Sequence, residues 1–361
     1  MKKWLCLLMI LTLTMFTILT SCDNGGDSRG LIFASNGDGT CAVIGIGECT
    51  DTDVVIPKKS PDGDLVTSIG AGAFQVCTGL TSITIPDSVT RIGDMAFATC
   101  IGLTSITIPN SVTSVGMDVF YGCTQLEFTI YDGLRYLGNE SDPYRVLIGI
   151  EDSTQSTYKI CDSTKIIAGH AFPRCTDLIS IVIPDSVTSI GTGAFDKCTG
   201  LTSITIPAGV TYIGESAFLR CTGLTSLNVS EGNPVYHSEG NCIIETETGT
   251  LIVGCKTSQI PAGVTSIGRD AFRDCADLTS IAIPAGVTSI DYQAFYGCTD
   301  LTSITIPVSI KSVDVWAFEG CTNLTDVYFS GNKQEWTAIK IGHKNEPLKK
   351  ATIHFDYTSE E

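Results

Sequence analysis

The sequence is poor in charge, poor in histidine and empty of the short motifs that mark a catalytic centre. Only 17% of its 361 residues are charged, and Lys plus Arg number 22 against 39 Asp plus Glu, a net charge of −17. A chain this acidic is unsuited to neutralising phosphates, which argues against nucleic acid and against adsorption on anionic lipid headgroups. The four histidines, His170, His237, His343 and His354, are scattered without the mutual spacing that a metal site needs. No G-x-S-x-G, H-E-x-x-H or P-loop occurs, no carboxylate pair recurs as a dyad, and no C-x-x-C is present among sixteen cysteines. The expectation is therefore a chain that is not an enzyme and needs no metal and no cofactor. Low charge combined with 43% hydrophobic residues also excludes a disordered chain.

What is present begins with a targeting segment. Lys2 and Lys3 precede an apolar run from Trp4 to Leu19, and then "LTSC", Leu19 to Cys22, which resembles a bacterial lipobox. In such signals the cysteine is lipidated and becomes the mature N-terminus, so Cys22 is the expected lipid anchor. An ordinary signal peptide or a membrane-spanning helix is the alternative, although the run is short for a span. "CDNGGDSRG" after it reads as a polar tether. Residues 1–21 carry two lysines and no acid, so the mature chain is more acidic still.

The dominant feature is a repeat. "LTSITIPDSVTRIGDMAF" at 80–97 returns at 103–120 and at 201–218. Aligned on Ala-Phe or its equivalent, the copies form three blocks of three: Phe74, Phe97, Phe120; Phe172, Phe195, Phe218; and Phe272, Phe295, Phe318. Each Phe is followed three residues later by Cys: Cys77, Cys100, Cys123, Cys175, Cys198, Cys221, Cys275, Cys298 and Cys321. In "LTSITIP" the apolar residues alternate as a strand demands and proline ends the strand. "VTxIG" adds two inward residues. In "GDMAFATC", with Ile92 before it, the spacing i, i+4, i+5, i+8 predicts a short helix of about two turns. A lone coil of this size buries too little to offset its ordering entropy, so only a stack of coils is stable.

"CTGLTSITIPxSVTxIGxxAF" resembles the 23-residue leucine-rich repeat of BspA-like cell-surface proteins, and the resemblance runs from about residue 41 to residue 355. It implies an α/β repeat solenoid: a curved, right-handed stack of leucine-rich-repeat-like coils, β-rich, with a short helix in each repeat. It also implies a bacterial surface protein acting in adhesion and host-protein binding. The expected organisation is a signal peptide at 1–21, a lipidated tether at 22–30 and an N-terminal cap with a first-coil insertion at 31–65. The solenoid comes next, at 66–330, interrupted by hairpin-like insertions at 128–158 and 229–256, and a C-terminal cap occupies 331–361. Trp336 and Ile339 are expected to close the last coil.

Three sets of residues are candidates for function. The cysteine column brings Cα atoms within reach of disulfides, but three per block cannot all pair, and a buried thiol ladder is the simpler reading. Cys41 with Cys49, and Cys242 with Cys255, each flank a hairpin in an exported chain and are the candidate disulfide pairs. The outward Thr and Ser columns offer a hydroxyl grid for glycan, protein or ice, or simply suit an exposed strand. Tyr136, Tyr144, Tyr212, Tyr292 and Trp316 break the column pattern and are the candidate binding surface, since aromatics anchor interfaces. Taken together, a monomeric, lipid-anchored envelope protein, at the outer membrane or cell surface, binds an extracellular or host protein. A glycan-binding lipoprotein of a polysaccharide-handling system, or a structural envelope protein without diffusible ligand, is the alternative.

Overall fold

The computed structural model describes residues 28–358; the apolar segment and Cys22 lie outside them. The chain winds into a β-solenoid of about 14 turns with a repeat of about 23 residues. One coil has three sides. The "TSIT" side is a strand such as Ser82–Thr84, paired in parallel with Ser105–Ile106 of the next coil. After the Pro86 turn comes a second short strand, Arg91–Ile92, stacked in parallel on Ser68–Ile69 and under Ser114–Val115. The third side runs from Gly93 through Phe97 to Cys100, and it is not the helix that the spacing predicts.

Two features make this third side a chain of turns. The residues two before and two after each core Phe adopt a left-handed backbone in all nine coils, as at Met95 (φ 53°) and Thr99 (φ 63°). An α-helix does not survive two such residues four apart. The N–H groups also alternate in direction. Those of Ala96, Ala98 and Cys100 turn back to the third preceding carbonyl, while Phe97 donates to Val119 O at 3.0 Å and Thr99 to Tyr121 O at 2.6 Å. All six adjacent coil pairs repeat the last two bonds. Each left-handed residue costs about 1–2 kcal/mol. The alternative, a helix, would leave adjacent coils without bonds on this side, and each buried unpaired polar group costs about 1–3 kcal/mol. The turn ladder wins. The approach of coils is close enough to explain the glycine of "IG": at Gly93 an added Cβ would lie 2.6 Å from Ala71 N.

Inside the prism the rings stack: Phe74 on Phe97 on Phe120 at 5.4 and 5.6 Å, and likewise in the other two blocks at 5.0 to 5.3 Å. Beside them runs the thiol column. Cys100 Sγ donates to Phe74 O at 3.0 Å and Cys123 to Phe97 O at 3.1 Å, and Cys198, Cys221, Cys298 and Cys321 repeat the bond at 3.0 to 3.2 Å. All fourteen described cysteines are free. The six column thiols named above hold the second lone pair of a buried carbonyl, a small donor in a slot with room for little else.

Antiparallel hairpins open each block: Ile32–Ser35 with Thr40–Gly45, Leu134–Asn139 with Asp142–Ile150, and Tyr236–Glu239 with Cys242–Glu245 and Thr250–Val253. The second and third are partitions between cores. Leu137 and Val146 face the core of the first block while Tyr136 and Leu147 face that of the second. Ile243, Val253 and Cys255 face the second while Cys242, Ile244 and Leu251 face the third. The expected Cys242–Cys255 pair is not formed: both thiols are free, Cys242 packing in the third core and Cys255 in the second. Cys41 and Cys49 are also unpaired: Cys41 sits in a strand against Val66 and donates to Asp64 O at 3.6 Å. Cys49 lies past the turn at Gly47, near the Cys77 thiol, which burial first and Cys49 second push up. At the far end, helices Lys333–Ala338 and Glu346–Lys350 close the stack, with Ile339 and Leu348 buried. Buried Asn345 accepts the Phe318 N–H at 2.8 Å and donates to Asp314 O and Gly342 O, replacing the missing next coil.

Three outcomes are expected. Val76 is β-branched, exposed and left-handed at φ 63°, so Val76→Gly raises the unfolding free energy by about 0.5–1 kcal/mol, strain relief exceeding the glycine entropy penalty; a urea titration showing a loss would refute the strain. Cys198→Ala lowers stability by about 1–2 kcal/mol through the lost bond and a small cavity. Consistent with burial, iodoacetamide at pH 8 leaves native Cys198 and Cys298 unmodified, by mass spectrometry, until denaturant is added.

Candidate binding surfaces

In the most regular exposed surface, two of the Thr columns are occupied by their own hydrogen bonds. Thr104 Oγ1 donates to Thr81 O at 3.1 Å, Thr225 to Thr202 O at 3.2 Å and Thr302 to Thr279 O at 3.1 Å. A second column does the same along the "VT" strands, where Thr113 reaches Thr90 O and Thr211 reaches Thr188 O. These hydroxyls fasten each coil to the one before it, a use that needs no ligand. The grid is broken further by exposed Val182 and Ile179.

The five aromatic candidates separate. Tyr136 is a correction: it has no exposure, its hydroxyl accepts the Cys161 N–H at 3.2 Å, and burial raises its phenol above the usual range. It is enclosed because it lies on the partition strand, both faces of which are covered. Tyr144 is half-buried and packs edge-on against Tyr131 and Tyr136. Tyr212 stands alone at 48% exposure. His170, expected at an exposed helix position, is half-buried on the turn side, 3.0 Å from Asp118.

Tyr292 and Trp316 come together on the turn side of the third block, and three residues that the sequence pattern did not single out join them. Trp316 lies nearly parallel to Tyr292 (centroids 6.5 Å, 22°) and to Tyr296 (6.1 Å, 21°). The Arg269 guanidinium sits 4.5 Å over the Tyr292 ring, and Arg273 5.0 Å over Tyr296. Arg273 is held by Gln293 Oε1 at 2.7 Å and Asp270 Oδ1 at 3.2 Å. The result is a ridge of three partly exposed rings and two cations, Arg269 exposed and Arg273 largely buried, with side chains fixed before any partner arrives. A signal existed in the sequence: Arg269 and Tyr292 both stand three residues before the core Phe, and Arg273 and Tyr296 directly after it. Parallel stacking makes equal repeat positions neighbours.

Chemistry of other kinds is sparse. Among the described residues no group of three His, Cys, Asp or Glu side chains could hold a metal ion, and no helix is long and apolar enough to cross a membrane. Burial pushes the Cys242 thiol up to about 11 and that of Cys275 up to about 12, which keeps both protonated and weakly nucleophilic at neutral pH.

Three comparisons place these observations. No curated protein matches the sequence. Solved structures similar to this chain include a leucine rich cell surface protein from Faecalibacterium prausnitzii, 27% identical over 89% of this chain and 99% of that one, with a TM-score of 0.38. The pneumococcal vaccine antigen PcpA is 17% identical over 92% of this chain and 87% of its own, with a TM-score of 0.48. A leucine-rich repeat protein from Bacteroides ovatus is 22% identical over 92% and 100%, with a TM-score of 0.31. The profile of the BspA type leucine rich repeat region matches residues 49–141, 151–254 and 252–354, so that the 23-residue coil, its Phe and Cys columns and most of the chain are accounted for, and the protein belongs to that family.

Proposed function

We propose that this protein is a lipid-anchored module of the bacterial cell surface that binds another protein, in the manner of an adhesin. The observation that carries the reading is the ridge of Arg269, Tyr292, Trp316, Tyr296 and Arg273. Aromatic rings and arginines dominate the energetics of protein interfaces, and here they are preorganised on the outside of a long stack. Family membership supports a surface location, and the lipobox-like "LTSC" supplies the anchor through Cys22. Binding is expected to need neither metal nor cofactor.

A second reading has one observation in its favour. Three nearly parallel rings form a platform of the kind on which sugar rings stack, so a glycan is the alternative ligand.

The purified protein, titrated over a panel of immobilised matrix proteins, is expected to give saturable binding at micromolar concentration. Tyr292→Ala combined with Trp316→Ala weakens it at least tenfold while leaving the thermal midpoint within a few degrees. Absence of saturable binding to every protein overturns the first reading, and one clear hit on a glycan array, lost in the double variant, establishes the second.

A further inference from the structure

The coil-to-coil ladder stops at the end of the first block, and it stops in a particular way. Phe120 and Gly122 hold the positions whose N–H groups bond forward in all six adjacent coil pairs. Asp118 (φ 52°) and Gly122 (φ 75°) keep the same left-handed turns, so the Phe120 and Gly122 N–H groups still face along the stack. Neither has an acceptor among the described residues. Across the gap, the first coil of the second block presents the complementary half of a rung. Ala171 C=O accepts no hydrogen bond among the described residues, and Pro173 C=O accepts only a weak contact from Cys175 Sγ at 3.8 Å. Between the two walls lies a cleft of about 660 Å³, within the range of ligand sites.

The cleft is a wedge. It is closed at one side, where Met117 bridges Gly169 and His170 Nδ1 stands 3.0 Å from Asp118 Oδ2, and it opens toward Gly122 and Pro173. Val119, Phe120, Phe128 and Ile148 give it an apolar floor. Its mouth carries both signs: Arg135, which also lies over Phe128, pairs with Glu151, and Arg174 and Asp177 stand opposite. The second junction, between the second and third blocks, encloses only about 190 Å³. There Gly254 N–H already satisfies Ala271 O at 2.8 Å, Arg220 reaches Asp274 at 2.6 Å and Ser216 reaches Asp270 at 2.6 Å. The Phe218 and Arg220 N–H groups also lack acceptors there, but Ala271 O is taken, so the first junction alone of the two has both halves of the rung wholly unused.

We infer that the first cleft takes an extended peptide segment of a partner protein, laid in as the missing rung. The inference rests on the protein-binding reading above and gives that reading a second location. Two carbonyls of the peptide, two residues apart, accept from Phe120 and Gly122; the N–H groups that alternate with them donate to Ala171 and Pro173. This is strand addition applied to a turn ladder: main-chain bonds supply affinity, and one side chain per two residues supplies specificity. The inward side chain meets the apolar floor, at the place where a coil of this chain would put Phe, so an aromatic or large aliphatic residue is selected. The mixed charges at the mouth select no net charge.

Gly149 provides the test. It lines the cleft, its backbone is not left-handed, and an added Cβ would meet nothing closer than Ala171 O at 3.7 Å. A large side chain there fills the cleft without moving the backbone. A phage-displayed random dodecapeptide library, panned on the purified protein, is expected to enrich peptides with one central aromatic or large aliphatic residue. Synthetic versions protect the Phe120 and Gly122 amides from hydrogen exchange. Gly149→Trp weakens them at least tenfold and Gly149→Ala by no more than about threefold, with unchanged thermal midpoints. Absence of enrichment, or peptides that bind Gly149→Trp as tightly as the native protein, overturns the inference. Dimerisation of the native protein that Gly149→Trp abolishes overturns the choice of occupant in favour of a second copy. If matrix-protein binding survives Gly149→Trp while no peptide binds, the cleft assignment falls and the ridge reading stands; if peptides bind and no matrix protein does, the reverse holds.

Discussion

A backbone N–H that cannot be satisfied within its own coil governs this structure. On the turn side, half of these groups close turns and the other half point along the stack, where only another coil can receive them. The left-handed residues flanking every core Phe exist to aim them. The regular recurrence of the coil exists because the receiving carbonyl must lie on the same residue of the next turn. The thiol column, the threonine columns and the glycine at the close approach all serve the same stacking, each by placing a small donor or the absence of a side chain where coils meet. Hydrophobic burial supplies most of the stabilisation, but the ladder decides which buried arrangement is adopted.

Much of this was legible in the sequence. The period, the inward residues of "LTSITIP", the Phe and Cys columns and the family resemblance came from local pattern, and local pattern is what a one-dimensional stack preserves. The misreadings share one cause: periodicity reports which side chains are buried and says nothing of how the backbone bonds. Ile92, Ala96, Phe97 and Cys100 are all buried, as a helical face would be, yet the chain between them alternates handedness. Cys242 and Cys255 flank a hairpin, but each packs as a free thiol in a different core. Tyr136 looked exposed because it broke the repeat, whereas a partition strand is covered on both faces. The ridge was half-legible: Tyr292 and Trp316 stood out, and Tyr296, Arg269 and Arg273 became visible only when equal repeat positions were placed side by side.

The candidate binding features lie where the array departs from itself. Within a block the turn-side N–H groups that point along the stack find a carbonyl in the next coil, so the interior of a block offers a ligand little backbone to satisfy. The ridge uses side-chain variation at positions that do not touch the core, which a solenoid tolerates freely. The cleft uses the other kind of departure, in which a coil is succeeded by a hairpin instead of another coil. The two junctions differ in how they are finished: one is locked by the Arg220–Asp274 pair, the Ser216–Asp270 bond and the Gly254 backbone bond, the other by the Met117–Gly169 bridge and a histidine–aspartate contact at its closed side.

The hairpin partitions have a consequence for how such a chain acquires its length. Each opens a block with one face committed to the block behind and the other to the block ahead, so hairpin and three coils form a cassette of about a hundred residues with its own core and its own lid. Tandem duplication of one cassette would lengthen the stack in a single genetic event, with no new core to invent and no terminal cap to rebuild. It would also add one more seam. Growth by single coils lengthens the rod alone; growth by cassettes multiplies the places where the surface can diversify.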